Sequence, residues 1–161
     1  EKAFFSLLSR EYIKLFPKLG DRTRFNRTKR NLHAVIKEIR EYISEYIQAY
    51  SNNIRIIDSM PIPVCEFGRA HFSKCFKGEA SYGRCPSKKQ TYFGFKFHAL
   101  TTVDGFLTDY VITPANIDDR NTVWDLCDKY NSISIIGDKG YVNKRLTPEL
   151  KTEKDINLLF L

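Results

Sequence analysis

The sequence predicts an α/β protein, a mixed sheet with flanking helices, preceded by a small helical region. Three observations carry this prediction. Ile54-Arg55-Ile56-Ile57-Asp58-Ser59 and Ile133-Ser134-Ile135-Ile136-Gly137-Asp138 are short apolar runs that each end in an aspartate, the pattern of a buried strand delivering a carboxylate to its C-terminal edge. Between them, Tyr92 to Val103 alternates, with Phe93, Phe95, Phe97 and Ala99 on one side and Lys96 and His98 on the other. Ahead of both, Leu32, Val35, Ile36, Ile39, Ile43, Tyr46, Ile47 and Tyr50 recur at helical spacing, which marks an amphipathic helix.

The elements follow in order. Residues 3–16 are rich in apolar side chains, and Pro17 with Gly20 stops the helix they predict. A basic linker, Asp21 to Arg30, precedes the amphipathic helix, whose stripe reads as a packing surface. The two helices form either a helix-turn-helix reader of DNA or a helical hairpin whose arginines touch backbone phosphates. Ser51-Asn52-Asn53 marks a boundary, giving a helical, basic region 1–50 and a second domain 51–161. After the first Asp-tipped strand, residues 59–90 carry scattered glycines, prolines and basic residues, which predicts an irregular excursion. The alternating strand then turns at Asp104-Gly105 into a partner, Phe106 to Thr113. Pro114-Ala115-Asn116-Ile117-Asp118-Asp119 opens a helix containing Val123, Trp124, Leu126 and Cys127, and Asp118 and Asp119 read as caps in preference to extra metal ligands. The second Asp-tipped strand and a helix over 148–158 complete the order. A helix between strands lets the last strand lie parallel to the first, which sets Asp58 beside Asp138.

The 161 residues start at glutamate and end in an apolar stretch, so the chain is expected to be a piece of something longer. No run of about 18 apolar residues could span a membrane. Four cysteines, widely spaced, are too few for a secreted disulfide scaffold, and a reducing cytoplasm is the expected compartment. The net charge of +7 is concentrated: residues 18–30 and 66–96 hold 13 of the 26 basic residues and 3 of the 19 acidic ones. Clustering of this kind suits a grip on a polyanion. Arg22, Arg24, Arg27 and Arg30 in the first segment, and Lys88, Lys89 and Lys96 in the second, are the candidate DNA contacts. Arg69, Lys74, Lys77 and Arg84 are interleaved with Phe72, Phe76, Tyr82 and Tyr92, an arrangement in which aromatics either stack on bases or pack under the loop.

Two carboxylates from different strands can share divalent metal, and hard oxygen ligands suit Mg²⁺ in a phosphoryl-transfer site. Asp58 and Asp138 are therefore the candidate metal ligands, and Lys139 a candidate phosphate contact or solvated turn residue. Cys65, Cys75 and Cys85 recur every ten residues around His71. They lack the paired C-x-x-C spacing of a zinc knuckle. His33 and His98 have no partner pattern that argues for catalysis.

Ile57-Asp58-Ser59-Met60-Pro61, Gly137-Asp138-Lys139-Gly140-Tyr141, Pro114-Ala115-Asn116-Ile117-Asp118 and Arg24-Phe25-Asn26-Arg27 together resemble bacterial insertion-sequence transposases of the DDE type, most of all the nine-eight-two insertion-sequence group. The resemblance runs from about residue 20 to the end. It implies a ribonuclease-H-like catalytic domain over 51–161, with Asp58 and Asp138 as the first two of three catalytic carboxylates and two Mg²⁺ or Mn²⁺ ions. It also implies cleavage at the ends of a mobile element, transfer of the 3′-hydroxyl to target DNA, and a homodimer or larger assembly on double-stranded DNA. The third carboxylate, a glutamate on a later helix, is not matched by Glu149 or Glu153, which follow Asp138 too closely. On that basis the domain is expected to be truncated at its C-terminus. The alternatives are a non-catalytic DNA-binding remnant and a nuclease without a joining step.

Overall fold

The computed structural model describes residues 2–86, 89–141 and 143–160. The chain divides into two compact units, Glu1–Ile47 and Gln48–Leu161.

The first unit is three helices, α1 (Lys2–Glu11), α2 (Arg22–Asn31) and α3 (His33–Tyr46). The basic stretch expected to be a linker is itself helical. Asp21 caps it by accepting the Arg24 N–H at 3.0 Å, and the capping bond holds the Asp21 carboxyl below its usual range. α1 ends at Glu11, short of the expected residue 16, because Tyr12 to Phe16 turns through short-range bonds such as Leu15 N–H to Tyr12 O. Phe25 is the one large apolar side chain that α2 contributes, and its ring meets Phe4 and Phe5 at 6.2 and 5.5 Å. So polar a helix cannot cover a neighbour, and the apolar stripe of α3, Val35, Ile36, Ile39 and Ile43, stays about half exposed. No helix among the described residues is long and apolar enough to cross a membrane.

The second unit is built on a six-stranded mixed sheet. Its strands are β1 (Ile54–Glu66), β2 (Ser81–Cys85), β3 (Gln90–Thr102), β4 (Leu107–Pro114), β5 (Ser134–Gly137) and β6 (Asn157–Phe160). β3 lies antiparallel to β1, β2 and β4, whereas β5 runs parallel to both β1 and β6. A four-residue helix α4 (Phe67–Ala70) follows β1, α5 (Val123–Cys127) precedes β5, and α6 (Leu146–Lys154) joins β5 to β6. The segment 59–90, expected to be irregular, therefore contains a strand half, a helical turn and β2. β1 does not end at Asp58 but continues to Glu66, because the long β3 pairs along it, with a register shift between Pro63 and Cys65. Pro61 and Pro63 fall where β1 has already lost β5 as a neighbour, and a strand tolerates a missing N–H on such an open edge.

Ile57, Leu100, Val123, Leu126, Ile135, Leu150, Ile156 and Leu158 form the core between one face of the sheet and the helices. Burial of this apolar surface is the main stabilising term. The helix expected over 148–158 stops at Lys154. Asp155 takes a left-handed conformation there, at φ 53°, and the Ile156 N–H closes on Leu150 O. The chain then enters β6, where Ile156 and Leu158 turn inward.

β3 turns the side that carries Lys96 and His98 inward. His98, Leu100 and Thr102 are buried on the inner face, while Phe93, Phe95, Phe97 and Ala99 are half exposed on the outer one. Polar groups on the inner face are tolerated because they have partners: His98 Nε2 meets Thr113 Oγ1 at 3.0 Å, and Thr108 Oγ1 donates to Leu100 O at 2.9 Å. Arg55, 1 % exposed, donates to Asn52 O and Ile54 O, with its guanidinium 6.0 and 5.7 Å from the Tyr50 and Tyr130 ring centroids. Carbonyls and ring faces offset the desolvation of that charge.

Burial holds the His98 imidazole below its ordinary pKa of 6.5, against the opposing pull of Asp119. The folded state thus keeps His98 neutral where the unfolded chain binds a proton, so stability is lost as pH falls below about 6.5. Thermal unfolding followed from pH 7.5 to 5.5 should show a falling midpoint, and the decline should be shallower in His98→Gln.

Candidate active site

The site begins with the pairing of β1 and β5. Ile54, Ile56 and the intervening Arg55 pair in parallel with Ser134, Ile136 and Ile135. The pairing ends there, and the same register carried two residues further would set Asp58 level with Asp138. Side chains alternate across a strand, so both carboxylates stand on the face opposite the buried Ile57 and Gly137, and both residues are exposed. Neighbouring strands lie about 4.8 Å apart. At that spacing two carboxylates repel unless a cation lies between them.

Local backbone fixes each one. Asp58 Oδ1 accepts the Ser59 N–H at 2.7 Å. Asp138 Oδ1 accepts the Gly140 N–H at 2.8 Å, inside the 3₁₀ turn Lys139–Tyr141 that follows β5. Two glycines make this possible through close approach. A Cβ on Gly137 would lie 2.7 Å from Ile57 Cγ2, and one on Gly140 would lie 2.8 Å from Asp138 Oδ1. Exposed hard oxygens on adjacent strands, oriented by backbone donors, suit a divalent cation. Among the described residues, no group of three His, Cys, Asp or Glu side chains is placed to hold a metal ion, a statement that covers Cys65, Cys75, Cys85 and His71 as well.

A third aspartate enters from the inner side. In the 3₁₀ turn Asp119–Thr122, Asp118 is the cap: it accepts the Arg120 N–H at 3.0 Å and pairs with the Arg120 guanidinium, which brings its carboxyl down to about 2. Asp119, expected to be a cap as well, instead accepts Ser59 Oγ–H at 3.1 Å on Oδ2 and pairs with Lys96 Nζ through Oδ1. Tyr141 is 1 % exposed, and its hydroxyl lies beside Ser59 without a well-aligned hydrogen bond. Burial, followed by the charges of Asp119, Asp58 and Asp138, raises its pKa, with Ser59 opposing.

Residues 48–160 match the family model described as Transposase DDE domain. The chain belongs to that transposase family. It is also similar to a chain in the cryo-EM structure of a piggyBac transposase synaptic complex with hairpin DNA, at a TM-score of 0.43 and 12% identity. That similarity covers 68% of this chain and 22% of the piggyBac chain, so the transposase domain described here spans less than a quarter of that protein's length. No curated protein matches the chain in sequence.

The remaining candidate residues fall in different places in this transposase. Arg22, Arg24, Arg27 and Arg30 lie exposed on α2, in the helical unit. In the second unit, Lys139 is exposed directly after Asp138, and Lys89 is exposed at the turn into β3. Lys88 lies outside the described residues. Lys96 sits on the inner face of β3 with its charge engaged by Asp119. Asp119 is the residue whose role the sequence misassigned, since only Asp118 caps the turn and Asp119 turns to Ser59 and Lys96. Its signal was the doubled aspartate, since one carboxylate suffices to cap a turn.

The Gly137 approach yields a direct test. Ile57 is fully enclosed and cannot yield easily, so Gly137→Ala should cost about 1–3 kcal/mol by overpacking and push β5 away from β1. Urea unfolding should show the loss in stability, and the variant should bind Mn²⁺ more weakly than the parent chain.

Proposed function

We propose that this transposase domain cuts DNA strands at the ends of a mobile element and joins the resulting 3′-hydroxyl to target DNA, with Asp58 and Asp138 holding Mg²⁺ or Mn²⁺. The observation that supports the reading is the parallel register of β1 and β5, which runs to Ile56 and Ile136, two residues short of the exposed Asp58 and Asp138. A bound divalent ion would supply Lewis-acid stabilisation of charge on the phosphoryl oxygens and lower the pKa of the attacking hydroxyl. The protein's part is positioning. Asp58 and Asp138 would hold the ion, the Ser59 and Gly140 N–H groups orient the carboxylates, and Lys139, exposed directly after Asp138, would contact a phosphate of the same strand. A third carboxylate, the glutamate that the resemblance expects, would complete the ligand set.

The strand order supports a ribonuclease-H-like core: β4, β3 and β1 are antiparallel neighbours, and β5 and β6 follow in parallel beyond β1. The sequence motifs favour a bacterial insertion sequence of the nine-eight-two group as the source. The exposed arginines of α2 and the basic residues around β2 are the proposed phosphate contacts on duplex DNA, where affinity should fall steeply with salt.

Fe²⁺ with ascorbate maps the metal site independently of turnover. In the full chain, oxidative backbone cleavage should appear next to Asp58 and Asp138, disappear in Asp58→Ala and in Asp138→Ala, and be competed by Mg²⁺. Supercoiled plasmid nicked in Mn²⁺ should remain intact with either variant. Salt-sensitive DNA binding that survives both substitutions, with no iron-directed cleavage, would establish the DNA-binding remnant instead.

A further inference from the structure

We propose that Asp119 is a positioning residue for the metal site, acting through Ser59. This inference rests on the assignment of Asp58 and Asp138 as metal ligands and goes beyond it by naming the group that holds them in place.

Asp119 uses its two carboxylate oxygens on two different strands. Oδ2 accepts the Ser59 hydroxyl at 3.1 Å, on β1, and Oδ1 takes the Lys96 ammonium, on β3. Its own backbone is fixed by Thr122 Oγ1, which donates to Asp119 O at 2.7 Å. Both members of the Asp119–Lys96 pair are largely withdrawn from water, at 24% and 20% side-chain exposure. A half-buried ion pair of this kind is a fixed point, unlike a pair on the open surface.

Ser59 is where that fixed point meets the chemistry. Its hydroxyl is held by Asp119 on the inner face, and its backbone N–H is given to Asp58 Oδ1 at 2.7 Å on the outer face. Rotation of the peptide at Ser59 would move the Asp58 carboxylate, and Asp119 opposes that rotation. The need for such a brace follows from the topology. β1 has β5 beside it only as far as Ile56, so at Asp58 the strand is paired by β3 alone. Tyr141 extends the arrangement to the second carboxylate. Its hydroxyl is buried beside Ser59, and its backbone N–H bonds to Asp138 O at 3.2 Å. Groups that orient metal ligands from outside the ligand set commonly change metal affinity by 10- to 100-fold when removed.

Mn²⁺ binding to the full chain, read from the free-ion signal in electron paramagnetic resonance, tests this without turnover. Ser59→Ala removes the bridging hydroxyl and leaves every charge in place, and it should weaken Mn²⁺ binding about tenfold or more. Ser59→Thr keeps the hydroxyl and should bind like the parent chain. Asp119→Asn keeps an acceptor for Ser59 and should fall between the parent and Asp119→Ala. Circular dichroism and the thermal midpoint check that each variant is folded, and the serine pair decides the matter where an Asp119 variant is not. Wild-type affinity in Ser59→Ala would overturn the inference while leaving Asp58 and Asp138 as ligands, provided Asp58→Ala abolishes binding. Absence of Mn²⁺ binding in the parent chain itself would overturn both.

Discussion

Three residue pairs between β1 and β5 are the constraint on which the rest of the site depends. Asp58 belongs to a thirteen-residue strand anchored along its length by β3. Asp138 leaves the end of a four-residue strand that would be too short to hold position alone. Parallel pairing needs a crossover connection, and α5 with its preceding 3₁₀ turn supplies it. The packing beneath then fixes the register: Ile57 and Ile135 are fully enclosed, Gly137 admits Ile57 Cγ2, and a slip of β5 by one residue would turn Asp138 toward the core while β3 kept Asp58 outside.

The inner face of this sheet is unusual in how many polar groups it accepts. Arg55, Ser59, Lys96, His98, Thr102 and Thr108 all lie on it or turn into it, and an unpaired group there would carry the full cost of desolvation. Partners come from both directions. Arg55 uses carbonyls of its own segment and the rings of Tyr50 and Tyr130. Lys96 and Ser59 share Asp119, and His98 uses Thr113. The face is therefore banded, with Ile57 and Leu100 between a polar group at Arg55 and Thr102 and another at Ser59, His98 and Lys96, beside the end where Asp58 emerges. Rigidity at the second polar group comes from hydrogen bonds of defined direction, a property that close apolar packing alone does not supply.

Much of this plan was legible in the sequence, and the misreadings have physical causes. The two Asp-tipped runs and the intervening helix were readable because β-branched residues in short runs have few other uses, and a crossover dictates parallel strands. The hairpin was readable from alternation and Asp104-Gly105, with Gly105 at φ 85°. The orientation of β3 was not. Aromatic residues at 93, 95 and 97 argue for an inward face by transfer free energy alone, and the inward turn of Lys96 and His98 depends on partners 23 and 15 residues away. α2 was read as a linker because ten residues with one large apolar side chain have almost no periodicity. Its capping aspartate was the better signal. The stretch after Lys154 looked helical until the exposed edge of β5 provided a partner, which no local propensity encodes.

On the proposed reading, the length of β3 bears on how duplex DNA would be measured out. An antiparallel strand and B-form DNA share nearly the same axial step, about 3.4 Å per residue and per base pair. Ala99 stands opposite Asp58, and Gln90 follows Lys89 at the far end of the strand. Nine residues separate those two positions, or about 30 Å at the same step. A duplex lying along β3 with a scissile phosphate at Asp58 would thus reach the basic turn roughly nine base pairs away, close to one full turn of the double helix. Both points would then face nearly the same side of the duplex, and the strand would serve as a ruler graduated in the step of the DNA laid along it.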